Sequence, residues 1–338
     1  MHTLLLPAGD DAISQAAGLL RQGQVVAFPT ETVYGLGADA LNEDAVRAIF
    51  AAKERPADNP LIVHVAEAGQ LDGLCIVTDA AQALMRASWP GPLTLLMKKT
   101  DRVPAVTTAG LPTVAVRCPR HPAAQQRLRA CRLPIAAPSA NRSGRPSPTT
   151  ARHVYEDMQG RIPLILDGGP CQVGVESTVL DLSGDVPCVL RPGAVTPEAI
   201  AAAVGQCAVA SSVMRPLREG ESAPSPGMKH RHYAPRAPMT VLVGSDQNVI
   251  REMIRRYDAA ENAVILCRGS LLPAFGGRRA FSLGDTPAET AQVLFRRLRE
   301  MDELGVSRIL AQGWEAKGEG LAVMNRMARA EAFDIVEV

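Results

Sequence analysis

The sequence predicts an α/β protein in two parts: a twisted mixed sheet, then a smaller Rossmann-like α/β unit. Three observations lead there. Strand-like and helix-like patterns alternate through the first two-thirds of the chain, as mixed α/β domains require. Their order is not a clean βαβ repeat, so a purely parallel sheet is not expected. A stretch rich in proline and glycine then interrupts the pattern before a second alternation begins at Met239. The expected division is 1–205 as a catalytic unit, 206–238 as a linker, and 239–338 as the second unit.

The elements follow in order. An amphipathic helix over 11–22 stops at Gly23. A short apolar strand over 25–28 ends at Pro29, and 43–52 is helical by pattern. A strand over 61–65 follows Asn59-Pro60. Helices are expected over 79–88 and 122–130, and strands over 93–97, 113–117, 135–137, 164–166, 176–182 and 188–191. A helix over 197–204 closes the first unit. The second has strands over 240–243, 263–267, 308–311 and 333–338, with helices over 248–257, 287–304 and 321–330.

Bulk properties narrow the function. The 338 residues suit two domains, and a hydrophobic fraction of 46% gives each a core. Thirty-six basic residues against 35 acidic ones leave a net charge of +1, unlike a dedicated nucleic-acid binder, although a local basic cluster is compatible with it. Aromatics are only 4%, too few for a broad base-stacking surface. The first residues carry no basic leader, and no apolar run approaches the roughly 20 residues that span a bilayer. Seven scattered cysteines without a CxxC pair suggest reduced thiols and a cytoplasmic setting without membrane attachment.

The chemistry-bearing residues fall in six segments. Pro29–Gly37 follows a strand directly and offers Thr30 and Thr32 with two glycines; its plain alternative is a polar turn. Lys53–Pro60 pairs Lys53 and Arg55 ahead of a proline-flanked Asn59, a phosphate clamp or a solvated loop. On the strand 61–65, alternation sets His64 and Ile62 opposite Leu61, Val63 and Val65. On 113–117 it sets Thr113, Ala115 and Arg117 on one face, where the guanidinium seeks a carboxylate, from substrate or from a neighbouring acid. The loop 138–150 presents Ser139, Asn141, Ser143 and Ser147 among glycine and prolines, an anion-receptive arrangement. The sixth segment contributes Ser177, then Arg191. A phosphate-loop motif and a GxGxxG are both absent, so any nucleotide site must be assembled from dispersed cations. A zinc site built from His230, His232 and His64 or His121 lacks a fourth ligand at a recognised spacing, and no GxSxG marks a serine nucleophile.

Together these segments resemble the threonylcarbamoyl-AMP synthase family, a YrdC-like domain in its long form with a C-terminal extension. PTETVYGLG, KERPADNPLIVHV, WPGPLTL, PTVAVRCP, PIAAPSANRSGRPSPT, ESTVLDL and LRPG stand in the family's order, followed by PGMKHRHYAP and GLAVMNRMARA. The resemblance implies a twisted sheet with a concave basic cavity, and a linker folded over it as a lid. It implies synthesis of threonylcarbamoyl-AMP from L-threonine, bicarbonate and ATP, with Mg2+ on the phosphates. The product would pass to a tRNA threonylcarbamoyltransferase complex that modifies the adenosine beside the anticodon. Carried over by position, Thr32, His64, Arg117, Ser177 and the Ala137 backbone form the threonine side. Lys53, Arg55, Asn59, Thr113, Ser139, Ser147, Arg191 and Tyr233 form the ATP side. No covalent nucleophile is expected; catalysis would be positioning and charge stabilisation. Two competitors are an RNA-binding translation factor without turnover, which the charge balance disfavours, and a hydrogenase-maturing carbamoyl transferase, whose extra zinc-finger and acylphosphatase-like modules are missing here.

Overall fold

Two sheets divide the chain. The structure, a computed structural model, describes residues 1–215, 233–331 and 334–338. The basic run Lys229–His232, most of the expected linker and the start of the expected last strand lie outside the described residues.

The first unit runs β1 (Leu4–Pro7), α1 (Asp10–Arg21), β2 (Val26–Phe28), β3 (Gly35–Asp39), α2 (Glu43–Lys53), β4 (Ile62–His64), α3 (Asp79–Ser88), β5 (Leu93–Lys98), α4 (Ala105–Thr108) and β6 (Thr113–Arg117). It continues with α5 (Pro122–Cys131), β7 (Ile135–Ala136), α6 (Ala151–Met158), β8 (Leu164–Asp167), β9 (Thr178–Asp181), β10 (Cys188–Arg191), α7 (Pro197–Val204) and β11 (Ala208–Val209). Its eleven strands form one sheet in the order β1-β8-β2-β3-β7-β4-β6-β5-β9-β10-β11. Parallel and antiparallel pairs alternate irregularly within it, so the sheet is mixed, as the broken βαβ order implies.

The second unit runs β12 (Met239–Val243), α8 (Asp246–Asp258), β13 (Ala263–Cys267), β14 (Ala280–Ser282), α9 (Pro287–Glu303), β15 (Arg308–Gln312), α10 (Gly318–Ala330) and β16 (Ile335–Glu337). Its five strands pair in parallel in the order β14-β13-β15-β12-β16. Thr286 and Glu289 cap α9 reciprocally, with Pro287 at its first position.

Period-two alternation decides what faces the site. Leu61, Val63, Val65, Val114 and Val116 enter the main core, and Ile62 and Ala115 line the opposite face. β4 and β6 pair in parallel, with His64 beside Arg117. Two separately read strands thus lie side by side, and the pairing brings His64 next to Arg117.

β3 was not foreseen, because its glycines read as a loop. The cause is close packing against Phe28. A Cβ at Gly37 would lie 2.7 Å from both Ile135 Cγ2 and Phe28 Cε1, and one at Gly35 would lie 2.9 Å from Phe28 Cζ. The GxG is a packing device for an aromatic ring.

The two units share a core. Val33 and Val175 of the first join Tyr233, Phe295, Val323 and Met324 in one apolar cluster. Two buried arginines cross the boundary. Arg299 on α9 pairs with Asp157 at 2.6 Å and donates to the Pro146 carbonyl at 2.6 Å. Arg326 on α10 pairs with Glu176 at 2.8 Å and donates to the Pro192 carbonyl at 2.9 Å.

Candidate active site

The ends of β4, β6 and β10 and the loops 30–35, 137–141 and 176–177 enclose a cavity with about 640 Å³ of atom-free space. Arg55, Arg117 and Arg191 all line it, so three cations from distant segments converge on one hollow. Thr32, His64, Ala137, Ser139, Ser177 and Tyr233 line it as well.

On the threonine side, each polar group is held by its neighbours. Arg117 Nη1 donates to Thr32 Oγ1 at 2.8 Å and its Nε to the Gly91 carbonyl at 3.2 Å. Its Nη2 forms an ion pair with Glu31 at 2.7 Å, off the line of a hydrogen bond. An internal acid therefore anchors the guanidinium of Arg117, which lines the cavity with N–H groups beyond those bonded to Gly91 and Thr32. Thr30 donates its hydroxyl to the Val33 carbonyl at 2.6 Å, so Thr32 is the donor in their 2.9 Å contact. Ser177 Oγ lies 2.7 Å from Thr94 Oγ1 and accepts from Arg191 Nη2 at 3.2 Å. The Ala137 amide already donates to the Ile62 carbonyl at 2.8 Å, which leaves its carbonyl as the backbone group available to a ligand.

His64 is neutral. Burial above all, then the cations Arg117 and Arg127, push its pKa down to about 3, against smaller opposing pulls from the Ile62 carbonyl and then Glu31. Its Nδ1 sits 3.1 Å from the Ile62 carbonyl, which assigns the proton there and leaves Nε2 as an acceptor. Such a group orients a donor and is a poor base. The sign of its linkage to stability follows. Between about 6.5 and about 3 the unfolded chain holds the His64 proton and the folded chain does not, so stability rises with pH, by about 1.4 kcal/mol per unit for one site. His153, pushed to about 4 chiefly by burial, adds a slope of the same sign. His64→Gln should flatten the dependence of urea midpoints measured between about pH 4 and 6. An unchanged slope would mean that His64 titrates freely.

Of the residues expected on the nucleotide side, Lys53, Asn59, Thr113 and Ser147 are not among those that line the cavity. Lys53 is buried and its ammonium is spent: it donates to the Ser139 and Asn141 carbonyls at 2.5 and 2.6 Å and approaches Asn141 Oδ1. Burial first, then Arg55, hold its pKa well below the usual lysine value. It is a strut for the loop 139–141 and has no donor left for a phosphate. Thr113 lies at the far end of β6, opposite Lys98, and does not reach the cavity wall, since four residues of strand span about 13 Å. Ser147 is one layer back, donating to Glu176 at 2.5 Å. Arg55, which lines the cavity, and Asn59, which does not, carry unsatisfied groups. Arg55 Nε and Nη2 and both amide atoms of Asn59 are buried and have no hydrogen-bond partner among the described residues. Buried polar atoms are almost always satisfied, so Arg55 is left with two donors, and Asn59 with one donor and one acceptor, that still call for partners. Burial also pushes Arg191 down to about 10, partly offset by Tyr233 and Glu176.

Several contributors went unread in the sequence. Glu31 and Glu176 sit inside the quoted motifs, beside Thr30, Thr32 and Ser177. Burial raises each carboxyl, and arginines more than compensate: Arg117 for Glu31, and Arg326 with Arg191 for Glu176, so both end below the usual range. A charged residue embedded in an apolar motif was the available signal. Glu176 lines the cavity, and among the described residues no three His, Cys, Asp or Glu side chains cluster as metal ligands.

A mixed α/β sheet with a cation-lined cavity at its strand ends, covered by a second α/β unit, defines a YrdC-like nucleotide-activating enzyme of the two-domain kind. Residues 18–193 match the Sua5_yciO_yrdC family, described as "Telomere recombination", and residues 195–332 match the "Threonylcarbamoyl-AMP synthase, C-terminal domain". The chain is 48% identical to the threonylcarbamoyl-AMP synthase of Pyrococcus abyssi, covering 96% of this chain and 95% of that one. It is 47% identical to that of Bacillus subtilis, covering 98% and 96%. The crystal structure of P. abyssi Sua5 complexed with L-threonine superposes with a TM-score of 0.93 at 45% identity, covering 100% of this chain and 99% of that one. The chain belongs to the threonylcarbamoyl-AMP synthase family. Among the described residues no helix is long and apolar enough to cross a membrane.

Proposed function

We propose that the cavity seats L-threonine beside ATP and joins them through bicarbonate into threonylcarbamoyl-AMP, releasing pyrophosphate. The convergence of Arg55, Arg117 and Arg191 in one hollow carries this reading. Threonine's carboxylate docks on the free N–H groups of Arg117, and its hydroxyl or amine meets His64 Nε2. The orphaned groups of Arg55 and Asn59, with Arg191 and Ser139, receive the phosphates and ribose of ATP.

The chemistry needs no covalent enzyme intermediate. Threonine's amine forms an N–C bond to bicarbonate carbon, with loss of water, to give a carbamate. A carbamate oxygen then attacks the α-phosphorus of ATP, and the bond to the bridging oxygen breaks as pyrophosphate leaves with the electron pair. Charge builds on the transferring group, where fixed guanidiniums cost no reorganisation. Mg2+, expected from the resemblance, would ride on the phosphates of ATP, since Glu31 and Glu176 are committed to arginines. The product would be consumed by a tRNA threonylcarbamoyltransferase.

The purified chain is expected to release pyrophosphate from ATP only when threonine and bicarbonate are both present. Release indifferent to threonine would overturn the assignment.

A further inference from the structure

Arg127 is a buried cation with nothing to neutralise it. It sits on α5, where Ala124, Leu128 and Cys131 belong to the apolar cluster that also holds Phe28. Its side chain is fully buried, and Nε, Nη1 and Nη2 all lack a hydrogen-bond partner. It pairs with no acid among the described residues. Burial pushes its pKa down to about 10, so it keeps its charge at neutral pH. The other five buried arginines among the described residues are all hydrogen-bonded: Arg117 to Thr32, Arg191 to the Ser177 carbonyl, Arg299 to the Pro146 carbonyl, Arg326 to the Pro192 carbonyl and Arg329 to the Ser212 carbonyl.

What the guanidinium does touch is the face of Phe28, with its central carbon 3.7 Å from the ring centroid. That attraction is weaker than the desolvation of a lone guanidinium, so the arrangement burdens the fold. Such burdens are kept where function uses them.

The Phe28 ring carries the contact onward. It meets the His64 ring edge to face, with centroids 6.0 Å apart and planes at 84°. Gly35 and Gly37 press so near the ring that a Cβ on either would come within 3 Å of it. His64 lines the cavity beside Arg117, and the groups acting on its charge are Arg117 and Arg127 against the Ile62 carbonyl and Glu31. A proton on Nε2 would remove the lone pair that meets threonine's hydroxyl or amine.

We infer that Arg127 is a positioning residue for the synthase reaction: acting across Phe28, it holds His64 in place as a hydrogen-bond acceptor for threonine. The inference rests on the reading of the cavity as a threonine site.

The full chain carrying Arg127→Met is compared with the parent. Methionine fills similar space without charge, so the urea midpoint should equal or exceed the parent's. Threonine KM should rise at least about fivefold, with KM for ATP within about twofold. In a His64→Gln background the same change should alter threonine KM by less than about twofold, because the residue acts through His64. NMR of labelled histidines, with the His64 signal assigned by its absence from His64→Gln, should show His64 holding its proton at least about tenfold more tightly in the methionine variant. Arg127→Lys keeps a cation over the ring and should stay near the parent in threonine KM and in the His64 titration. A methionine variant that loses stability or fails to fold makes Arg127 a strut and overturns the inference. So do an unmoved His64 titration, an unchanged threonine KM, a loss of equal size in the His64→Gln background, or a lysine variant no better than the methionine one. Should the parent release pyrophosphate regardless of threonine, it is the synthase reading that fails, and the urea and NMR results still decide whether Arg127 acts on His64.

Discussion

Replacing Arg326 with methionine is expected to cost about 3–5 kcal/mol of stability and most of the activity, although Arg326 touches no substrate. Its guanidinium is fully buried on α10 and reaches Glu176 Oε2 at 2.8 Å, the Glu176 carbonyl at 3.2 Å and the Pro192 carbonyl at 2.9 Å. Methionine fills similar space but leaves the Glu176 carboxylate buried with less countercharge. Glu176 in turn accepts from Ser147 and lowers the electrostatic cost of burying Arg191. The loss therefore propagates to the nucleotide side. Urea unfolding monitored by circular dichroism checks the stability. Adding Glu176→Gln to the Arg326 variant should recover part of it by removing the stranded charge. If the single variant is as stable as the parent, the pair is not a clamp.

Arg117→Lys is expected to lower kcat/KM for threonine by at least about tenfold, or about 1.4 kcal/mol, with KM for ATP nearly unchanged. Lysine keeps the charge beside Glu31 but loses the planar fork that reaches Gly91, Thr32 and a carboxylate together. Arg117→Ala should be worse, because it also leaves Glu31 buried without its cation. Steady-state pyrophosphate release against threonine concentration separates the two, and an unchanged threonine profile for the lysine variant would remove Arg117 from the substrate's carboxylate.

How much of this was legible depended on the range of the interaction. The face shared by His64 and Arg117 could be read from alternation within two short strands, because the side-chain period is a local property. The stop at Gly23 was likewise local. β3 was hidden because its glycines serve Phe28, nine residues from Gly37 but adjacent in the sheet. The inward turn of Lys53 was hidden for a similar reason. Two cations spaced by one residue suggest a clamp, yet one of them ends a helix and turns inward to carbonyls at 139 and 141. Arg299 and Arg326 lie more than 140 residues from their acids, and no spacing rule connects them. What sequence pattern could not supply was the docking of one unit on the other.

That docking changes what counts as the minimal enzyme. Val33 and Val175, which flank the catalytic loops, are covered by side chains from beyond residue 232. Asp157 and Glu176 draw countercharge from those same later elements. A fragment cut near Gly205 would bare oily residues at the mouth of its own reaction chamber and strand two acids in its wall. The last third of the chain is thus part of the vessel in which the reaction occurs, and the boundary between sheets is no boundary between working parts.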